Sequence, residues 1–343
     1  MSEWNHDMYR RLAQAPLVNG RAGTRPRIDT YASRFGRWEE LASVRRKPRR
    51  TLVGDDSDFC YYFPPELHPV VLHPLVAGKG EAVVEHLLLR RLYAYLDFTT
   101  DLESLAVIPV ATNIARGGSG LILPEQMRAD AFKIVTDEAW HAQFSFDFAR
   151  QIESTTRIPR GKSDGTPPLF AQRLDELRER LPHEVRGLEA IVFAIVSETL
   201  ISGILAQLPR DERLPRPVRD LVRDHAEDEG RHHVYFRSVL KHLWPALTPH
   251  ERRAMGPHIP AVIYAFLEPD RRQAAEHLAD IGLTPEEISQ VIEESWSASD
   301  VMNTISEGSG PVVRYFADAG ALDDARTYAS FAAAGLRPEE GAA

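Results

Sequence analysis

A single cysteine, Cys60, in 343 residues leaves no partner for an internal disulfide and no thiolate cage for a structural metal. A reducing cytoplasm is the expected setting. Excess basic charge is also missing: 41 Lys and Arg stand against 50 Asp and Glu, a formal net charge of −9. A surface that neutralises phosphates needs the opposite balance, so no nucleic-acid partner is expected. The longest apolar stretch, 191–208, is interrupted by Ser197, Glu198 and Thr199 at its centre. Hydrocarbon would penalise them, and no membrane span is expected. The leading residues MSEWNHDMYRRLAQAP lack the basic, apolar and small-residue order of a secretory signal. No flavin or nicotinamide fingerprint is present. ARGGSGLILP, 115–124, has no strand before it and no Lys-Ser or Lys-Thr after it, so it is expected to be a turn. The remaining balance, 43% apolar and 27% charged, is that of an ordinary globular chain.

Strand alternation is scarce, whereas apolar residues recur at three and four spacing. The pattern predicts one long helix, or nearly one, from 80 to 115, with Pro109 kinking its later part. Further long helices are expected over 124–154, 182–208, and from 215 to just before Pro245. Shorter ones follow at 169–181, 248–268, 270–281 and 284–306. Residues 1–28 read as a loose N-terminal arm, RRKPRR at 45–50 as a solvated connection, and the proline-punctuated FPPELHPVVLHPL at 63–75 as an irregular wrap. The expected architecture is all-α: a bundle of four long helices with additional packing helices, forming one domain over 29–343.

Two of the long helices carry the same word, Asp137-Glu138-Ala139-Trp140-His141 and Asp228-Glu229-Gly230-Arg231-His232. A spacing of three sets Glu and His on one helix face, where a carboxylate oxygen and an imidazole nitrogen can meet one metal ion. The other two long helices hold Glu103 and Glu198 within apolar faces, where an unpaired carboxylate must take up a proton or find a cation. The order Glu, Glu-x-x-His, Glu, Glu-x-x-His is the ligand plan of dinuclear carboxylate bundles, so a ferritin-like four-helix bundle of the di-iron carboxylate type is expected. Four carboxylates balance two divalent ions. Oxygen and imidazole donors without thiolate suit iron or manganese, and iron is expected. Following the bundle pattern, Glu138 and Glu229 bridge while Glu103 and Glu198 are terminal. His225, four residues before Glu229, adds a third nitrogen to that face, and its spacing leaves ligand and packed neighbour both open. His233 is rotated away from the site. Asp137 and Asp228 are candidates to hold the imidazole N–H groups of the opposite motif.

Through FPPELHPVVLHPLV, YLDFTTDLE before Glu103, DEAWH, SETLISGIL around Glu198 and HAEDEGRHH, the chain resembles the dinuclear-iron arylamine N-oxygenases. This family includes the p-aminobenzoate enzyme and, more similar, the arylamine oxygenase of chloramphenicol biosynthesis. The resemblance implies Glu103, Glu138, His141, Glu198, His225, Glu229 and His232 as metal ligands and catalytic centre. It implies two iron ions cycling between Fe2+ and Fe3+, O2 as co-substrate and an external electron donor or reductase. The implied reaction carries an aryl amine through hydroxylamine and nitroso to a nitro group, in natural-product (antibiotic) biosynthesis. The approach helix from Leu92 to Glu103 has no Lys or Arg where the p-aminobenzoate enzyme has an arginine, which favours a larger or uncharged arylamine. Tyr95, Phe98, Thr99, Val107, Ile195 and Ser202 lie within a turn or two of ligands and are candidate pocket residues. A homodimer is expected. Two other readings fit the bundle alone: a di-iron oxidase acting on carbon, as hydroxylase or desaturase, and a ferritin-like iron-handling protein.

Overall fold

The computed structural model describes residues 31–52, 60–161 and 165–336; the expected arm at 1–28 lies outside them. Two short helices come first, α1 (Trp38–Leu41) and α2 (Ser43–Arg46). The proline-rich wrap folds as two 3-10 turns, Pro65–Leu67 and Pro69–Leu72, leading into α3 (Pro74–Ala77). The first long helix is continuous but uneven. α4 (Glu81–Leu102) passes through a π turn at Glu103–Val107 into α5 (Ile108–Ala115). Pro109 has no N–H to offer the ladder, and Ile108 N–H reaches back five residues to the Glu103 carbonyl. The widened turn therefore begins at Glu103 itself.

α6 (Glu125–Thr156) and α7 (Leu169–Arg180) fall close to their expected bounds. The third long helix, α8 (Leu188–Leu205), starts later than its apolar pattern suggests. A 3-10 turn at His183–Val185 and Gly187 at φ 106 hold the chain out of helix, in a conformation glycine adopts without steric cost. α9 (Arg216–Ala246) carries Pro245 inside its last turn instead of stopping before it, forfeiting one terminal ladder bond. The expected helix at 248–268 is divided into α10 (Pro249–Met255), a 3-10 turn at Gly256–His258 and α11 (Ile259–Leu267), because Pro257 and Pro260 each remove a donor. α12 (Arg271–Asp280) follows. The 284–306 segment is also two helices, α13 (Pro285–Ser295) and α14 (Ala298–Asp318), parted where Trp296 leaves helical geometry and Ser297 caps α14 through Asp300 N–H. α15 (Ala325–Ala333) closes the described chain. No strand occurs among the described residues.

α4, its π turn and α5 run along α6, while α8 runs along α9, giving the four-helix core. By length and composition α8 could cross a membrane, but it is mostly buried inside the protein. Every side chain from Ile191 to Glu198 is fully enclosed. An all-round apolar helix needs cover on its outer side as well, and α7, α11 and α14 supply it. Phe98, Phe170, Phe193 and Phe266 form an aromatic knot there, with Phe170 and Phe193 stacked at 5.3 Å and 11°. The basic run at 45–50 is mostly exposed, as expected of a solvated connection, and is in addition tied to α6 and α9 by ion pairs. Arg49 pairs with Asp147, Lys47 with Glu227, and Arg50 with Asp224 and Asp220. The acids on two neighbouring helices draw the strap down.

Phe193→Ala removes the centre of the aromatic knot and is expected to lower the unfolding free energy by about 3–5 kcal/mol in denaturant titration. The exposed Phe132, changed in the same way, should shift it by no more than about 0.5 kcal/mol.

Candidate metal centre

Each long element delivers part of one buried cluster. The π turn presents Glu103, α6 presents Glu138 and His141, α8 presents Glu198, and α9 presents His225, Glu229 and His232. None of the seven is more than 1% exposed. They form two groups, Glu103–Glu138–His141–His225 and Glu138–Glu198–Glu229–His232, in each of which one donor atom per residue lies within 4.8 Å of the others. Glu138 belongs to both. Its Oε2 lies 2.7 Å from His141 Nδ1 and its Oε1 2.7 Å from His232 Nδ1. Glu229 Oε1 also faces both sides, at 3.1 Å from His225 Nε2 and 3.4 Å from His141 Nδ1 and from His232 Nδ1. Glu103 and Glu198 reach a single imidazole each, His225 at 3.8 Å and His232 at 3.7 Å.

The local sequence explains why these acids are left over. On α8, Ser197 and Thr199 return their hydroxyls to the helix's own carbonyls of Ala194 and Ile195, so Glu198 alone has no hydrogen bond. Both oxygens of Glu103, Glu198 and Glu229, one of Glu138, and the inward nitrogens of His225 and His232 are buried without a hydrogen-bond partner. Buried polar atoms are normally satisfied, and this many unsatisfied donors of ligand type, facing one another, fit a pair of divalent cations. Cys60 is exposed and contributes nothing.

The outer imidazole nitrogens are held by the aspartate of the other motif. His141 Nε2–H donates to Asp228 at 3.1 Å, and His232 Nε2–H donates to Asp137 at 3.2 Å. Such partners fix ring orientation and aim Nδ1 inwards. Each aspartate is tied in turn to the strap. Trp38 Nε1–H donates to Asp137 at 2.8 Å, and Ser43 N–H to Asp228 at 3.2 Å, while Arg231 pairs with Asp228. Phe35 lies parallel to His232 at 6.1 Å between ring centres. Trp38, Ser43, Arg231 and Phe35 escaped the sequence reading. Three of them touch the centre's outer shell only after 31–52 folds back over α6 and α9. His233 turns outward to the Tyr315 hydroxyl at 2.7 Å.

The protons follow the charges. Burial, with the charges of Glu138 and Glu229 added, pushes Glu103 well above the usual carboxylate range; burial and the same two charges do this to Glu198. Burial opposes ionisation of Glu138 and Glu229 too, but the surrounding imidazoles outweigh it and hold both down. Burial works against charge on His141 and His232, yet carboxylates keep both pKa values well above normal. His225 goes the other way, lowered by burial and by the charge of His141. The surroundings thus draw protons towards His141, His232, Glu103 and Glu198 and away from Glu138 and Glu229. Cations entering it displace those protons.

Of the six candidate pocket residues, Tyr95 is buried with its hydroxyl unpartnered, and Ser202 Oγ likewise lacks a partner. Thr99 donates to the Tyr95 carbonyl at 3.2 Å. Val107 and Ile195 are fully buried. Phe98 is half-buried, its ring in the aromatic knot against Phe170 and Phe266.

The family model for p-aminobenzoate N-oxygenase AurF matches residues 49–320. Among curated proteins, the 4-aminobenzoate N-oxygenase of Streptomyces thioluteus is 24% identical over 243 residues, covering 66% of this chain and 70% of that relative. The chain belongs to the AurF family and is an oxygenase.

Asp137→Ala strands the Trp38 and His232 N–H groups together, and is expected to cost about 2–4 kcal/mol of stability by denaturant titration, with a shift in Trp38 fluorescence. Asp137→Asn keeps one acceptor oxygen and should cost less.

Proposed function

We propose that this member of the p-aminobenzoate N-oxygenase family binds two iron ions in the seven-residue cluster and uses O2 to oxidise an aryl amine through hydroxylamine and nitroso to nitro. Glu103, Glu138, His141 and His225 would hold one ion, and Glu138, Glu198, Glu229 and His232 the other, with Glu138 and Glu229 shared. The observation that carries this reading is the meeting of two buried donor groups at Glu138, with Glu229 Oε1 3.4 Å from an imidazole nitrogen of each group. Residues 29–343 are read as one domain around that centre, acting in natural-product biosynthesis, as a cytoplasmic homodimer supplied by a separate reductase or small reductant.

Bound iron supplies the reduction of O2 and the transfer of oxygen to nitrogen, with electrons from that external donor. The chain's own groups prepare the site. Asp137 and Asp228 keep the outer imidazole nitrogens protonated, so the inner nitrogens are free to ligate. Four carboxylates against two divalent ions leave no net negative charge to hold a substrate as its ammonium form. An aryl amine, a weak base, therefore arrives with its lone pair available. Burial pushes the Tyr95 phenol up, so it stays protonated and can donate a hydrogen bond to a ligand near Glu103. Val107 and Ile195 contribute apolar wall that excludes water from the reacting nitrogen.

Reconstituted protein is expected to hold about two irons per chain by metal analysis. Chelation should lower Tm, and ferrous iron should restore it, because metal binds only the folded arrangement. Glu138→Ala removes an oxygen from both groups and should leave iron substoichiometric. With reductant and O2, the loaded enzyme should convert aminoaryl compounds to N-oxidised products by mass spectrometry. Hydroxylated carbon instead, across a broad aminoaryl panel, would replace this reading with that of a carbon oxidase.

A further inference from the structure

The two outer aspartates do the same work but are held differently. Asp228 accepts from a peptide group, Ser43 N–H, at 3.2 Å to each oxygen, and pairs with Arg231. Asp137 accepts from an aromatic ring instead, with Trp38 Nε1 2.8 Å from Oδ1 and 2.9 Å from Oδ2. Fixing a carboxylate needs only an N–H, and the Asp228 side shows that backbone suffices. An indole in that place adds a π system to the outer end of a hydrogen-bonded chain. The chain runs from Trp38 through Asp137 Oδ2 to His232 Nε2 at 3.2 Å, and His232 Nδ1 faces Glu138 Oε1 at 2.7 Å inside the cluster.

Its outer end comes to the surface. Trp38 is 8% exposed, and the guanidinium carbon of Arg45 lies 5.7 Å from its ring centre. Arg45 is itself exposed and pairs with Glu39 of the same strap. Residues 31–52 hold seven Lys and Arg against two Glu, in a chain whose net charge is −9. Lys47, Arg49 and Arg50 are tied to α6 and α9, whereas Arg34 and Arg46 are exposed on either side of Trp38 in sequence. Two other aromatic routes leave the cluster, and both cross ring contacts without a hydrogen bond. Phe144 lies 5.4 Å from His141 and Trp140 5.9 Å from Phe144, while Phe35 lies 6.1 Å from His232 and 6.3 Å from Tyr235. Electronic coupling passes more readily through bonds and hydrogen bonds than across such gaps.

We propose that electrons enter the metal centre through Trp38, Asp137 and His232, from a one-electron carrier protein whose acidic face docks on the strap. This deepens the reading of an iron centre fed by an external donor and rests on it for the acceptor. Each transfer oxidises the carrier by one electron and reduces one ferric ion to ferrous, so two transfers ready the pair. No bond forms or breaks, and the indole and imidazole N–H protons stay in place. Trp38 conducts without being oxidised itself. An acidic face suits the partner because the strap's cations attract it where the rest of a net-negative chain repels it.

Stopped-flow absorbance on the iron-loaded, oxidised full chain, mixed anaerobically with dithionite, reads entry without substrate or turnover. Trp38→Phe keeps a ring but loses the hydrogen bond. It should slow reduction about tenfold or more, the scale on which partners of ligating histidines act, at unchanged iron content and ferric absorption. Trp38→His retains a ring N–H and should recover part of the rate, which a role in packing alone would not produce. Trp140→Phe should match the wild type. In the wild type the rate should fall as salt rises, because the dithionite radical anion is drawn to the strap. Reduction of Trp38→Phe at the wild-type rate overturns the route, as does slowing in Trp140→Phe alone. So does a rate that rises with salt, which would place entry on the acidic remainder of the surface; this measurement needs no variant and decides the matter should Trp38→Phe fail to fold. Reduction that depends on Trp38 in a protein that oxidises no aryl amine keeps the route and sinks the N-oxygenase reading alone.

Discussion

Four carboxylates enclosed in an apolar interior are the constraint on which the rest of this structure depends. Glu103, Glu138, Glu198 and Glu229 have no exposed surface and almost no hydrogen bonds of their own. Such a set closes only if positive charge closes with it. Protons on two imidazoles and two glutamic acids can supply that charge, and so can two divalent ions. On the proposed metal reading, the chain can exchange one for the other. Its outer aspartates hold His141 and His232 by the nitrogen that faces away from the cluster, so a proton can leave the inner nitrogen without the ring losing its place. A strap far away in sequence then locks those aspartates, through Trp38 on one side and Ser43 on the other, where Arg231 of α9 adds an ion pair to Asp228.

The helical framework answers the same constraint. Bringing an acid from the middle of α8 to the cluster requires a helix that is apolar on every other side, and such a helix must be covered all round. The packing helices α7, α11 and α14 follow from that need, and the aromatic knot around Phe193 shows how tightly the cover is applied. On the opposite side the π turn does comparable service for Glu103. An extra residue in one turn, set by Pro109 six positions on, alters where that glutamate points without ending the helix.

The cluster itself was legible in the sequence because its members break local rules. A glutamate inside LESLAVIPV or IVFAIVSETL conflicts with its surroundings, and a Glu-x-x-His word on two separate long helices adds nitrogen donors at a spacing that helical geometry makes useful. The long helices were legible for the same reason, through their apolar period. Their ends were not. Gly187 and Trp296 leave the helix through backbone angles that hydrophobicity does not encode. Trp38 and Ser43 were invisible because their contacts span 99 and 185 residues, and nothing near them in sequence names the partner.

The third histidine makes most sense in terms of charge. His225 sits 4.2 Å from His141, ring centre to ring centre, and both burial and that neighbour's charge keep it neutral. A fifth carboxylate in its place would add a donor atom together with a negative charge that two divalent ions could not balance, and the surplus would favour a protonated amine over a neutral one. A neutral imidazole adds the donor and leaves the balance of four against four intact. It also places the extra donor beside Glu103 and Glu229 on one side of the cluster only, with no counterpart near Glu198. The two donor groups are therefore unequal in nitrogen content, two imidazoles in one and one in the other. The side with fewer nitrogens is the one backed by α8, whose Ile195 and unpartnered Ser202 flank Glu198 by a turn in each direction.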